Sequence, residues 1–359
     1  MEGKGMGVKM EEGRERAHKR RVRYGGTHPR RYSEKYKEHD PDRYGDIVEK
    51  VIRKGSTPAG MHLPICVEEI LDILQIRPGE SGLDATLGYG GHSRRMLERL
   101  AGKGHLCALD VDPIEIAKTE ERLGKLGFGP EILTVIHRNF AQIDQAAAEY
   151  GPFDFLLADL GVSSMQLDDP QRGFSYKQEG PLDLRLNPLS GRSAAQRLRE
   201  LGREEIEGML RENADEPYAE KIARTIAQAK KRGQAVETTT QLAEAVREAL
   251  SFLPEKERRD AVKKSCARVF QALRIDVNSE FEALEAFLQK LPQVMAPGGR
   301  IAVLTFHSGE DRMVKKSFKE LERAGIYREI AKEPVRPSRE ECARNARARS
   351  AKLRWAVKA

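Results

Sequence analysis

Apolar residues are sparse and aperiodic through residues 1–55, and a regular pattern begins only at Leu63. The charged opening reads as an arm, with short helices expected around Ser33–His39 and Pro41–Arg53. Val67, Ile70, Leu71 and Leu74 then share one helical face, and Pro78-Gly79 ends that helix. Short apolar runs alternate with helical stretches after it. Strands are expected at Ser81–Leu87, His105–Asp110, Ile132–His137 and Phe153–Leu160. Helices are expected at Gly91–Leu100, Pro113–Leu126 and Ile143–Tyr150. This alternation predicts an α/β fold with a parallel sheet and right-handed crossovers.

The alternation breaks between residues 168 and 265, which are rich in Arg, Glu, Ala and Leu at helical spacing. Ala194–Leu201, Glu204–Glu212, Ala219–Lys231 and Thr239–Leu250 read as helices of an insertion. The helix Phe281–Leu291, the strand Arg300–Phe306 and the helix Asp311–Ala324 resume the earlier pattern. Two closing strands, Tyr327–Pro334 and Ala351–Lys358, suit an antiparallel pair at the sheet edge. The expected organisation is an arm (1–58), a discontinuous α/β domain (59–167 and 266–359) and a helical insertion domain (168–265) that recognises substrate.

Charge changes this picture at the two ends. Residues 1–54 carry sixteen Lys/Arg against ten Asp/Glu, and residues 336–359 carry eight against two. The overall charge is +7, so a basic head and tail flank a mildly acidic body. That distribution suits a polyanionic partner, or equally a solubilising head. The sequence has no apolar run long enough to span a membrane and no apolar leader, so a cytoplasmic protein is expected. Cys66, Cys107, Cys266 and Cys342 form no CxxC pair and read as reduced thiols. The eight histidines include no HxxxH pair, so no metal site is expected.

Three strand ends carry the candidate chemistry. Leu83-Asp84-Ala-Thr-Leu-Gly88-Tyr-Gly90-Gly91-His92-Ser93 is a strand, a glycine-rich turn and a helix start. Such a turn lets backbone approach a ligand and offers free N–H groups. The spacing is GxGGH rather than GxGxxG, so the pyrophosphate fingerprint is absent. Asp110 ends the second strand, where a carboxylate can accept both ribose hydroxyls. Asp110 could instead cap the helix before Pro113, with Asp112 as a rival for that role. Asp159 ends the fourth strand and joins Gly88, Gly90 and Asp110 on one rim. Capping of the next turn is the plainer role for Asp159.

At this point the sequence resembles the RsmH (MraW) family, the N4-cytidine methyltransferases of bacterial 16S ribosomal RNA. The resemblance covers roughly residues 62–359. It rests on Asp84–Ser93, Asp159-Leu-Gly-Val-Ser-Ser164 with Gln166-Leu-Asp-Asp169, and Arg172-Gly-Phe-Ser175. It continues with Gly180-Pro-Leu-Asp-Leu-Arg185, Phe270–Ile275 with Val277-Asn278, and Pro297-Gly-Gly-Arg300. Phe306-His-Ser308 with Glu310-Asp-Arg312, and Asn345–Arg354, complete the set. The resemblance implies a Rossmann-like class I fold, S-adenosyl-L-methionine as cofactor, and 16S rRNA within the small ribosomal subunit as partner. Carried over residue by residue, it implies cofactor contacts by Gly90, Gly91 and His92, by Asp110 on the ribose, by Phe140 beside the adenine, and by Asp159 and Gln166 near the methionine end.

Asp159 is the first candidate to orient the cytosine amine, with contact to the cofactor alone as the alternative. DNA amino-methyltransferases carry [DNS]PP[YF] at this point, whereas this chain has Asp159-Leu-Gly-Val162, so a base-stacking ring must come from elsewhere. Phe174, Tyr176, Phe306 and His307 are candidates, with core packing as their alternative role. Arg347, Arg349, Lys352 and Arg354 are candidates for rRNA phosphates. The chain departs from the family in its longer arm, in His62–Glu68, in Met165 for proline, in Gly309 for leucine, and in a shortened stretch before Asn345. A methyltransferase of protein or small molecules, a nicotinamide oxidoreductase and a non-catalytic RNA-binding factor are the rival readings.

Overall fold

A computed structural model describes residues 64–359, so the arm and its expected helices lie outside the described residues. Helix α1 (Val67–Leu74) leads into β1 (Ser81–Asp84), α2 (Gly91–Leu100), β2 (His105–Asp110), α3 (Pro113–Lys125), β3 (Leu133–His137), α4 (Ile143–Tyr150) and β4 (Phe153–Asp159). A short helix α5 (Ser164–Asp168) and a 3-10 turn (Pro170–Arg172) open the helical segment. That segment holds α6 (Ala194–Glu200), α7 (Arg203–Ala214), α8 (Ala219–Lys231), α9 (Thr239–Ala249) and α10 (Glu255–Asn278). The chain returns to the sheet through α11 (Glu280–Val294), β5 (Met295–Thr305), α12 (Ser308–Arg323), β6 (Tyr327–Ile330), α13 (Arg339–Arg344) and β7 (Lys352–Lys358).

The sheet has seven strands in the order β3-β2-β1-β4-β5-β7-β6. Strands β1 to β5 pair in parallel, and β7 runs antiparallel between β5 and β6. The alternation of side chains along a strand sends each apolar run to both faces. Along β4, Leu156 and Ala158 pack with Phe287, Leu288 and Leu291 of α11 on one face. Phe155 and Leu157 pack with Leu71 and Leu74 of α1 and Met96 and Leu97 of α2 on the other. This is the Rossmann-like class I architecture. Strand order reverses between β1 and β4, and the crevice outside the C-terminal ends of those strands is where such sheets take ligands.

The helical segment has its own core, including Leu198, Leu210, Ile222, Leu242 and Val246. Capping boxes at Ser193/Gln196 and Thr238/Gln241 fix the starts of α6 and α9. The expected boundary at 265/266 falls inside α10. Cys266, Val269, Phe270, Ala272 and Leu273 bury against the helical core, so packing continues past that boundary toward Asn278. None of the four cysteines is in a disulfide. Among the described residues, no helix is long and apolar enough to cross a membrane.

Candidate functional site

The tips of β1, β2 and β4 open onto a cleft of about 400 Å³. The turn after β1 forms its floor. Gly90 has φ +77°, and a Cβ there would lie 2.6 Å from Thr119 Cγ2. A Cβ on Gly91 would lie 2.4 Å from Pro64 Cγ. Both positions therefore need glycine, one for its backbone angle and both for close packing. Thr119 Oγ1 donates to the Gly88 carbonyl at 2.7 Å and pins the turn to α3. Asp84 sits beneath it, fully buried, and accepts the Ser93 hydroxyl at 2.5 Å and the Thr86 N–H at 3.1 Å. Burial pushes its carboxyl up to about 6.

At the tip of β2, Asp110 accepts the Gly88 N–H at 2.7 Å and the Asp112 N–H at 2.8 Å. Burial pushes Asp110 up to about 6 even against those two bonds. Asp112 is the residue that caps α3, accepting the Ile114 N–H at 3.0 Å. The capping alternative for Asp110 is thereby taken by its rival, and the Asp110 carboxylate lines the cleft. Phe140 follows β3 and lines the cleft, edge-on to Phe287 at 5.4 Å.

At the tip of β4, the Asp159 N–H donates to Thr86 Oγ1 at 2.7 Å. His92 Nε2 lies 3.4 Å from Asp159 Oδ2 without hydrogen-bond alignment. His92 Nε2 and Asp159 Oδ1 are both buried with no hydrogen-bond partner. Ser163, not Asp159, caps the next helix in a reciprocal box with Gln166. Gln166 also donates to Asp112 Oδ2 at 2.8 Å, so both ends of its amide are engaged.

Gly90, Gly91, His92, Asp110, Phe140, Asp159, Gln166, Phe306 and Arg347 thus converge on one cleft. The structure places the other candidates outside this cleft. Phe174 is 5% exposed within the helical core, under the Arg172 guanidinium, and offers no ring face to a base. Tyr176 packs on Phe270 at 5.6 Å in that same core. His307 caps α12 through Nδ1 and is absent from the cleft lining, with Nε2 3.1 Å from Glu310 but not aligned to hydrogen-bond it. Arg354 is 3% exposed and bound to Asp311 at 2.6 Å, and Lys352 reaches the same carboxylate at 2.7 Å. These two cations are neutralised internally and are not a phosphate surface. Arg347 pairs with Asp168 at 3.1 Å while its Nη1 stays buried without a partner. Arg349 is exposed, with a long contact to the Cys342 carbonyl at 3.4 Å.

Sequence reasoning missed Arg274, Glu280 and Glu310, which line the same cleft. Arg274 grips both Glu280 oxygens, at 2.8 and 2.9 Å. Glu280, His307 and Glu310 bring ligand atoms within 4.8 Å of one another. Arg274 already balances that charge. Cys66, Glu69 and Glu341 form a second such group. There, burial first and Glu341 second push the Cys66 thiol far above its usual range.

The chain is similar to known proteins along most of its length. A relative called ribosomal RNA small subunit methyltransferase H 1, from Lachnoclostridium phytofermentans, is 63% identical over 97% of this chain and 95% of its own length. Ribosomal RNA small subunit methyltransferase H 2 from Alkaliphilus metalliredigens is 62% identical over 96% of this chain and 99% of its own. A solved SAM-dependent O-methyltransferase from Thermotoga maritima aligns at 12% identity and a TM-score of 0.40, over 87% of this chain and 71% of that one. The model of the MraW methylase family matches residues 59–359, and the chain belongs to that family.

Proposed function

We propose that this protein transfers a methyl group from S-adenosyl-L-methionine to the N4 amine of a cytidine in 16S rRNA of the small ribosomal subunit. The observation that carries the reading is Asp159. Its buried, unpartnered Oδ1 stands at the tip of β4, in the same cleft as the glycine turn and Asp110. Buried polar atoms almost always have partners, so the unpaired Asp159 Oδ1 and His92 Nε2, on residues that both line the cleft, suit hydrogen bonding to a ligand bound in it. The relatives' names add small-subunit rRNA as acceptor, and the basic termini suit a polyanion.

The cofactor supplies a methyl group on a sulfonium, already electrophilic enough for a weak nucleophile. Gly90, Gly91 and His92 of the turn would contact it, Asp110 would accept from its ribose, Phe140 would wall its adenine, and Asp159 and Gln166 would lie near its methionine end. Gln166 braces this arrangement through Asp112. The cytosine amine is a poor nucleophile because its lone pair is delocalised into the ring. Asp159 aligns the amine by accepting a hydrogen bond and takes the proton that methylation releases. Such positioning supplies several kcal/mol, about 7–11 at the upper end. Phe306 replaces Phe174 and Tyr176 as the ring for a splayed-out base, since it lines the cleft beside Gly161. Arg347, which lines the cleft, and the exposed Arg349 are the cations left to meet rRNA phosphates.

Small subunits from a strain lacking the protein, incubated with labelled S-adenosylmethionine, are expected to yield N4-methylcytidine at a single rRNA position. Label in another nucleoside, or none despite firm cofactor binding, would sink the substrate assignment. Gly90→Ala is expected to weaken S-adenosylhomocysteine binding by about tenfold or more, from left-handed backbone strain plus the clash with Thr119. Calorimetry checks it, and an unchanged dissociation constant would remove the turn from the cofactor site.

A further inference from the structure

Three segments carry family motifs without touching the reacting groups: Arg172–Ser175, Gly180–Arg185 and Val277-Asn278. One hydrogen-bonded chain joins them to the cofactor side. Asp110 accepts from the Asp112 N–H at 2.8 Å. Asp112 has no exposed surface and takes the Arg172 Nη1 on its Oδ2 at 2.7 Å. The other end of that guanidinium, Nη2, donates to the Leu186 carbonyl at 2.8 Å and the Arg185 carbonyl at 3.1 Å. The Leu186 N–H donates to Asn278 Oδ1 at 2.7 Å, and Asn278 Nδ2 donates to the Leu184 carbonyl at 2.8 Å. Asn278 ends α10, the longest helix of the helical segment, and Leu186 itself lines the cleft.

We propose that Arg172 is a positioning residue that couples cofactor occupancy to the placement of the helical segment against its RNA substrate. The RNA half of this statement rests on the function proposed above. The physical case is that Arg172 spends one end on each side. Asp112 fixes the Asp110 carboxylate and the start of α3, and Arg172 is the cation that balances it. The carbonyls of 185 and 186 belong to the loop that α10 holds through Asn278. A ligand that orders Asp110 therefore stiffens the loop, and a ligand that holds the helical segment stiffens Asp110. Coupling of this kind is reciprocal: each ligand must tighten the other by the same factor.

Three variants separate the two ends. Arg172→Lys keeps a charge for Asp112 but cannot also reach two carbonyls. Arg172→Met removes both. Asp112→Asn combined with Arg172→Met removes the buried charge that the single variant would strand, and so guards against simple misfolding. The readouts are S-adenosylhomocysteine affinity with and without saturating small ribosomal subunits, and the split of KM for S-adenosylmethionine against kcat.

Wild type is expected to bind S-adenosylhomocysteine about fivefold or more tighter with subunits present. Arg172→Lys should keep the affinity without subunits within about threefold and lose the enhancement. Arg172→Met should raise KM for the methyl donor by about tenfold or more with kcat largely kept. A merely destabilised protein would instead lose active fraction at constant KM. Absence of enhancement in wild type, or its survival in both Arg172→Lys and the double variant, overturns the proposal. If wild type does not bind subunits at all, the rRNA reading fails separately. The S-adenosylhomocysteine affinity of Arg172→Met without subunits then decides alone, and a wild-type value overturns the positioning role.

Discussion

Asp159→Asn is expected to lower the rate constant of methyl transfer by about 10²–10⁴-fold. S-adenosylhomocysteine affinity should stay within about threefold. The backbone at this position is held by groups that the substitution does not touch. The Asp159 N–H is bound to Thr86 Oγ1, and its register against Leu304 is fixed by the β4–β5 ladder. The amide therefore occupies the carboxylate's place with similar shape. It loses the negative charge that attracts the amine's hydrogen and receives its proton. The ladder and the Thr86 bond fix where the side chain leaves the backbone in both forms. Single-turnover transfer to small subunits, measured beside calorimetry of the same preparations, reads the two quantities separately. An asparagine enzyme that transfers methyl at close to the wild-type rate would leave Asp159 with cofactor contact alone.

The strand-tip carboxylates were legible in the sequence because a parallel sheet places the ends of its strands on one rim, whatever the details of packing. Once His105–Asp110 and Phe153–Leu160 are strands, Asp110 and Asp159 must lie on that rim; Asp84, expected inside a strand running to Leu87, instead ends β1 and is buried beneath the turn. Helices α2, α4 and α8 carry one clean apolar stripe each, and their ends match the expectation residue for residue. Helix α10 has no such stripe. Its first turns are mostly solvated, while Cys266 to Ile275 lie in the core, so a single period does not describe it. Strand β5 begins five residues early because Pro297-Gly298-Gly299, which reads as a turn, continues the ladder irregularly past Phe153.

The rest of the cleft depends on contacts between distant segments. Arg274 arrives on α10, Glu280 on α11 and Glu310 on α12, and no spacing announces that they meet. The errors have a shared physical source. Phe174 and Tyr176 sit in a loop-like motif, yet the helical segment needs large rings to fill its core against Phe270 and Leu273. The cations after Asn345 are candidates for phosphates by charge alone, and charge does not tell an RNA surface from internal ion pairs. Lys352 and Arg354, alternate residues of one strand, share a face, and that face is occupied by Asp311.

That reassignment makes a strong prediction. Arg354→Met is expected to destabilise the fold by about 1–3 kcal/mol, because it removes one of the two cations that hold the Asp311 carboxylate and leaves only Lys352. The salt dependence of RNA binding should not change, since Arg354 neutralises no phosphate. Burial by itself would raise the Asp311 carboxyl, but hydrogen bonds from Arg354 and then Lys352 outweigh it and hold the group below its usual range. A depressed carboxylate stabilises the fold above its unfolded pKa of about 3.9, and this contribution fades as pH falls through the folded value. The stability gap between wild type and Arg354→Met should therefore be full at neutral pH and narrow below about pH 4. Denaturant titrations across that range, read beside the slope of RNA affinity against salt, test both halves. A shallower salt slope with unchanged stability would return Arg354 to the RNA surface. A gap that ignores pH would mean that methionine fails for packing reasons rather than for the lost partner of Asp311.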